Sequence, residues 1–458
     1  MSNNKALHVE VSTEDIHRAE DRLRIRNARA QKGRFRQLAL LFLLVGPGLL
    51  VMLGENDGPS MLSYAATGAT YGIGFFVPFI ALTFIMAFIV QELTVRLAAV
   101  THRGHAELIF DRFGPFWGWF AMIDLAIGNF LTLVVEFIAI QAGLGYFGIP
   151  TPVAVGFGLV LSVGVMLSRR YWTWERITIA LALFNCLFVP VALLVHPNPV
   201  EIAHALVTWS PLPAGGLNLS LVLFVMSNIG ATVTPWMLFF QQSALKDKGL
   251  TPKDIPQARI DTAIGAILAA VFGIAALVAT SVLFTHKVDT SNFSSGAFAA
   301  AQFAQALEPF IGKFGSTLFA LAILEAGLVA VITISSSSAY AFGEVTGAAH
   351  SLNRPINEAA GFYAIMIIGA TLVGLLVIIP NAPLTLIVLV VNVIATLAMP
   401  PALIFLILLV NDRVIMGDYV NGRVANILAV GVAVFLVGAG MVWGIVTILT
   451  GLGIIPNA

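Results

Sequence analysis

The sequence predicts an all-α membrane protein of eleven transmembrane helices, built as an inverted five-plus-five repeat with helices 1 and 6 unwound. Three observations carry that expectation. Of the 458 residues 58% are apolar and only 10% charged, against roughly 25% charged in a soluble domain. Long apolar runs, each sized to span a bilayer, follow one another from Leu38 to the end of the chain. Two of these runs, five crossings apart, are broken by glycine and proline at matching places, the mark of an inverted-repeat transporter with its site near the midplane.

Taken in order, residues 1–37 form a polar tail. Its alternating Glu, Asp and Arg suit a solvated helix or a disordered lead-in, and it lacks the apolar run and small-residue cleavage site of a signal peptide. Residues 38–458 read as one transmembrane transporter domain, since the connecting turns are too short for a soluble one. The apolar runs fall at about 38–66, 73–99, 116–145, 152–168, 177–196, 218–244, 260–285, 314–345, 357–380, 384–410 and 424–452. Of the 24 Lys and Arg, only Lys287 and Lys313 fall on the opposite side from the tail. The positive-inside rule then places the N-terminus in the cytoplasm and, with an odd number of spans, the C-terminus outside. Zero net charge offers nothing to nucleic acid, and the lone Cys186 excludes an internal disulfide and argues against a cysteine metal cluster.

The first run contains Gly54-Glu55-Asn56-Asp57-Gly58-Pro59-Ser60. Glycine and proline there loosen the helix and remove a backbone donor, leaving carbonyls without partners at membrane depth. Asp57 sits beside them, although Asp at a helix centre costs about 2.5–3.5 kcal/mol on insertion scales. A carboxylate at that depth implies a partner or a cavity, and a cation is the partner expected. The second break is Asn228-Ile229-Gly230-Ala231-Thr232-Val233-Thr234-Pro235-Trp236. A packing kink would explain either break alone; two at corresponding places, one beside a buried carboxylate, favour a site.

The ionisable groups expected inside the membrane are nearly all acids: Glu55, Asp57, Glu92, Asp124, Glu136, Glu325 and Glu344. Glu92 should pair with Arg96 one turn on. Asp124, Glu325 and Glu344 read as helix-to-helix hydrogen bonders or vestibule groups. Ser335 to Ser338 read as small-residue packing. His102 and His105 read as loop residues without a metalloprotease pattern. No phosphate loop, nucleophile elbow or dinucleotide fingerprint is found, so nothing points to an ATP-driven pump or an enzyme.

With both breaks placed, the chain resembles the natural resistance-associated macrophage protein (NRAMP) family of divalent-metal transporters, which share the LeuT-type fold. Gly46-Pro47-Gly48 is similar to the opening of the family's first helix, and Asp57-Gly58-Pro59-Ser60 stands where the family has Asp-Pro-Gly-Asn. Ala231-Thr232-Val233-Thr234-Pro235-Trp236 stands where it has Ala-Thr-Val-Met-Pro-His, followed by Ser243-Ala244. Leu409 to Arg423, with Asp412-Arg413, Met416-Gly417 and Asn421, resembles the loop after the tenth helix.

The departures shape the function that the resemblance implies. The family's sixth-helix methionine gives a thioether to transition metals; Thr234 stands in its place. Hydroxyl, carbonyl, carboxylate and water suit Mg2+, and the short Ser60 leaves room for a partly hydrated ion. The family's proton-relay histidine is Trp236 here, and of its third-helix acid pair only Glu136 remains, with Leu133 in the other place; Trp and Leu relay no proton. These changes resemble the divergent NRAMP-related magnesium transporters. The resemblance implies a secondary transporter in the plasma or inner membrane, importing Mg2+ and also Mn2+ without proton coupling, as a monomer with no cofactor. Asp57 would bind the metal with Ser60, Thr234, Asn392 and the carbonyls of Gly54 and Ala231; Glu136, Glu55 and Trp236 would line the aqueous path. The alternatives are a proton-coupled Mn2+ or Fe2+ symporter drawing its sulfur from Met237, an amino-acid or amine carrier of the same fold, and a channel or receptor.

Overall fold

The structure is a computed structural model that describes residues 46–168, 170–209, 212–213, 216–289, 299–379 and 384–452, together with Glu20, Leu23 and Asn27. The expected tail, 1–37, otherwise lies outside the described residues, as do Leu38 to Val45 at the start of the first apolar run. The described regular structure is helical. In chain order the helices are α1 (Pro47–Gly54), α2 (Gly58–Tyr71), α3 (Phe76–Thr101), α4 (His105–Phe113), α5 (Pro115–Gly145), α6 (Thr151–Met166), α7 (Tyr171–Ala182) and α8 (Phe188–Leu194). They continue as α9 (Pro199–Thr208), α10 (Leu219–Gly230), α11 (Pro235–Lys248), α12 (Ile255–Thr285), α13 (Ala299–Thr346), α14 (Ala360–Val377), α15 (Leu384–Asn411), α16 (Arg413–Met416) and α17 (Arg423–Gly451).

Among the described residues, nine helices are long and apolar enough to cross a membrane, against the expected eleven. The first expected span is split into α1 and α2, of 8 and 14 residues. The fourth, α6, has 16 residues. The second expected break is present: α10 stops at Gly230 and α11 starts at Pro235. In the fifth span a 3₁₀ segment, Leu183–Leu187, joins α7 to α8. It ends three residues before Pro190, whose ring removes a helical hydrogen bond and crowds the carbonyl one turn back, and a tightened turn accommodates both effects. α13 carries Pro309 and is interrupted at Gly312, whose φ of 68° a side chain would resist.

The broken helices are the most enclosed part of the bundle. All residues of α1 are buried, and so are nearly all of α11. α17, by contrast, buries few side chains and lies at the periphery. Apolar groups facing outward along α5, α12, α14 and α17 are what a lipid-facing surface requires.

The end of the bundle rich in basic residues is tied by ion pairs. The expected Glu92–Arg96 pair forms at 2.8 Å, and Arg259 shares the same carboxylate. Arg103 pairs with Glu107 at 2.8 Å and with Asp111, while Lys246 reaches Glu107 at 3.3 Å. In the loop after α15, Asp412 pairs with Arg112, and Arg96 donates to Asn421. His105 is not a loop residue as expected. It starts α4, is fully buried and meets Gln242 at 3.2 Å.

A candidate metal-ion site at two helix breaks

Proline and glycine unwind the first break in a specific way. In a continuous helix the Gly58 N–H would bond the Gly54 carbonyl, but here it donates to Glu136 Oε2 at 3.0 Å. Pro59 has no N–H to offer the carbonyl of Glu55. Asp57, in extended conformation, becomes the N-cap of α2, its Oδ1 accepting from Ser60 N at 2.9 Å. The carboxylate therefore sits at the positive end of a helix dipole, as an N-cap Asp prefers. Gly58 is obligatory for this approach, because a Cβ added there would lie 2.2 Å from the Ala139 Cβ of α5.

The second break mirrors the first. Pro235 cannot donate to the Ala231 carbonyl, which accepts instead from the Tyr64 hydroxyl at 3.0 Å. Thr234 is the N-cap of α11 but makes no side-chain cap bond. Its hydroxyl donates to Glu55 Oε1 at 2.6 Å, joining the two breaks directly. Gly230 packs onto α15 so closely that a Cβ would lie 1.8 Å from the Asn392 carbonyl oxygen. The Asn392 amide in turn donates to the Pro59 carbonyl at 3.3 Å.

The sequence-predicted residues thus gather around one point. Glu55, Asp57, Ser60, Thr234 and Asn392 are all at most 4% exposed, so the site lies inside the bundle. Glu136 lies close enough to Asp57 and Glu55 for their charges to interact. Trp236 is buried with its ring against Gly54, where a Cβ would meet it at 3.1 Å, and its carbonyl accepts from Ser337 at 3.1 Å. Several polar atoms here have no hydrogen-bond partner: Glu55 Oε2, Ser60 Oγ, Glu136 Oε1 and the Trp236 indole nitrogen. No three carboxylate, imidazole or thiol side chains among the described residues converge tightly enough to hold a metal by themselves. A cation here would need hydroxyl and carbonyl oxygens beside the carboxylates, which suits a hard divalent ion.

Polar pairs continue outward from the site along α2 and α10. Ser63 and Ser227 hydroxyls meet at 2.8 Å, and the Asn228 amide donates to Thr67 Oγ1 at 2.7 Å. The other embedded acids divide. Glu344 accepts from Ser243 and, at 3.0 Å, from Ala106 N, as expected of a helix-to-helix bonder. Glu325 is buried with both oxygens unpartnered, and Asp124 lies among Phe116, Trp119, Phe120 and Ile123 on an open face of α5. Of the four serines of α13, Ser336 and Ser338 bond back to their own helix, and Ser338 also accepts from Asn129.

Sequence reasoning missed a second buried cluster, at the basic end. Lys248 of α11 pairs with Glu175 of α7 at 2.9 Å, with side chains 0% and 3% exposed. Asp261 of α12 accepts from Gly46 N and Gly48 N, at 3.1 and 2.8 Å, and so ties down the start of α1. The available signal was Asp261 itself, an acid one residue inside the seventh apolar run.

Residues 48–446 match the Nramp family, described as natural resistance-associated macrophage protein-like. A protein of Aeromonas hydrophila named divalent metal cation transporter MntH is 25% identical over 416 residues, spanning 86% of this chain and 95% of that one. The crystal structure of an Eremococcus coleocola manganese transporter superposes with a TM-score of 0.70 at 20% identity, covering 90% of this chain and 88% of that one. MhsT in complex with L-phenylalanine gives a TM-score of 0.58 at 12% identity, covering 88% and 97%. The shared architecture is LeuT-like.

Proposed function

This chain belongs to the natural resistance-associated macrophage protein-like family, and on that premise we propose that it carries divalent metal cations across a cell membrane, with Asp57 as the central ligand. The family is one of transporters, not of enzymes. The observation that carries the proposal is the Asp57 carboxylate, buried at the break between α1 and α2 with no Lys or Arg paired to it among the described residues. Burying an unpaired carboxylate is costly, and a transported cation offsets that cost. Ser60, Thr234, Asn392 and the carbonyls of Gly54 and Ala231 complete the shell, directly or through water.

Mn2+ is the ion for which one of the similar proteins is named, the Eremococcus coleocola manganese transporter. Preference for Mg2+ has no support among those proteins and rests on donor chemistry alone: Thr234 offers an oxygen at the second break, and oxygen donors do not discriminate against Mg2+ as sulfur does. The proposed orientation has the N-terminus in the cytoplasm and the C-terminus outside, the protein working as a monomer. Inward movement of a divalent ion then gains about 4.6 kcal/mol per 100 mV, at roughly 2.3 per charge.

The test is uptake of Mn2+ and Mg2+ into proteoliposomes carrying a lumenal pH dye, with wild type and Asp57→Asn side by side. Asn keeps the N-cap of α2 and removes the charge. Uptake by wild type and none by the variant is expected; equal uptake by both would refute the assignment. Lumenal acidification accompanying Mn2+ entry would identify an ordinary proton-coupled symporter.

A further inference from the structure

Glu55 is the group at this site that the ligand set above leaves without a role. It is fully buried at the bend between α1 and α2. Its Oε1 is held by the Thr234 hydroxyl at 2.6 Å, and its Oε2 has no hydrogen-bond partner. No Lys, Arg or His forms an ion pair with it among the described residues. The acids Asp57 and Glu136 lie within electrostatic reach of it.

A hydrogen-bonded strut between two helices would be served as well by glutamine, without the insertion cost of a carboxyl group in a span. The Thr234 hydroxyl is also diverted from its local use. An N-cap threonine ordinarily accepts from the first turn of its own helix, whereas this one donates across to α1. That diversion fixes one carboxylate oxygen and leaves the other, like Ser60 Oγ, buried without a hydrogen-bond partner.

We propose that Glu55 is a second anionic ligand of the transported divalent cation, and that Thr234 acts as the positioning residue that aims it. This rests on Asp57 marking the ion site. Two carboxylates then match the charge of a divalent ion, which favours divalent over monovalent cations. Holding Oε1 through Thr234 orients the ligand as outer-shell partners do at other metal sites, where their loss costs roughly 10–100-fold in affinity. The double role of Thr234 also gives a chemical reason for a hydroxyl at this position, since a thioether can neither donate a hydrogen bond to Glu55 nor hold it in place.

The experiment is Mn2+ binding to the purified full-length protein by titration calorimetry, with uptake in proteoliposomes to separate KM from kcat. Glu55→Gln should weaken Mn2+ binding at least about tenfold and raise KM. Thr234→Val should weaken it by about 10–100-fold, while Thr234→Ser restores binding. The double variant Glu55→Gln with Thr234→Val should lose less than the sum of the two single losses, because Thr234 acts in part through Glu55. Binding by Glu55→Gln within about twofold of wild type, with Asp57→Asn abolishing it, would overturn the role of Glu55 and leave the site standing. Normal binding by Asp57→Asn would remove the site itself. Additive losses in the double variant would overturn the positioning role of Thr234. Should Glu55→Gln not fold, Glu55→Asp keeps the charge on a shorter arm, and wild-type affinity in that variant would equally refute the assignment.

Discussion

Replacing Lys248 with alanine should be among the most destabilising single changes at the basic end of the bundle. The ammonium lies 2.9 and 3.1 Å from the two oxygens of Glu175, and also 5.2 Å from the centre of the Trp172 ring. Neither side chain of the pair is more than 3% exposed. Removing the lysine leaves Glu175 buried with the Tyr171 hydroxyl, at 2.9 Å, as its remaining neutral partner. Breaking a buried pair from one side costs about 3–5 kcal/mol, and the lost cation–π contact adds about 0.5–2. Replacing both members by apolar residues of similar size, Lys248→Met with Glu175→Leu, should recover most of the loss, since a buried pair is often no better than its hydrophobic equivalent. The assay is denaturant unfolding in detergent micelles followed by tryptophan fluorescence, with Trp172 and Trp174 close to the change. A cost below about 1 kcal/mol for Lys248→Ala, the range of an exposed pair, would refute the assignment of this pair as buried and uncompensated. So would a double variant as unstable as the single.

Gly58→Ala should abolish uptake and cost about 1–3 kcal/mol, because the new methyl would sit 2.2 Å from the Ala139 Cβ and push α2 away from α5; uptake and thermal midpoint check both. Thr234→Met should raise Mn2+ or Cd2+ uptake relative to Mg2+ in a competition assay, by placing sulfur where the hydroxyl now lies. Glu107, on the linking helix α4, responds to pH. Burial pushes its carboxyl up, but Lys246 and Arg103 outweigh that and hold it below its ordinary value. A depressed acid adds stability above its unfolded pKa of roughly 4.3, and that contribution is lost as pH falls through the lower folded value. Hydrogen exchange in α4 should therefore quicken below about pH 4, and Glu107→Gln should remove that dependence.

Much of the site could be read from local chemistry. Proline without an N–H, glycine beside it and a carboxylate in an apolar run act on the residues next to them, so both breaks and Asp57 were visible along the chain. The embedded acids were visible in the same way, as charges where lipid tolerates few. The likeness to the family then supplied Ala231, Thr234 and Asn392. Helix ends were less legible, because an apolar run does not show that its helix stops at Met166.

Tertiary structure alone decided the pairings. Thr234 could be recognised as an oxygen donor, but not as the partner of Glu55, 179 residues away. Packing sets Asp261 against the backbone of Gly46 and Gly48, and Lys248 meets Glu175 inside the bundle. Broken helices and embedded charges follow from the bonding of neighbouring residues. Which side chain answers which charge depends on how helices far apart in sequence rotate and pack, and a single chain read in order carries no signal for that.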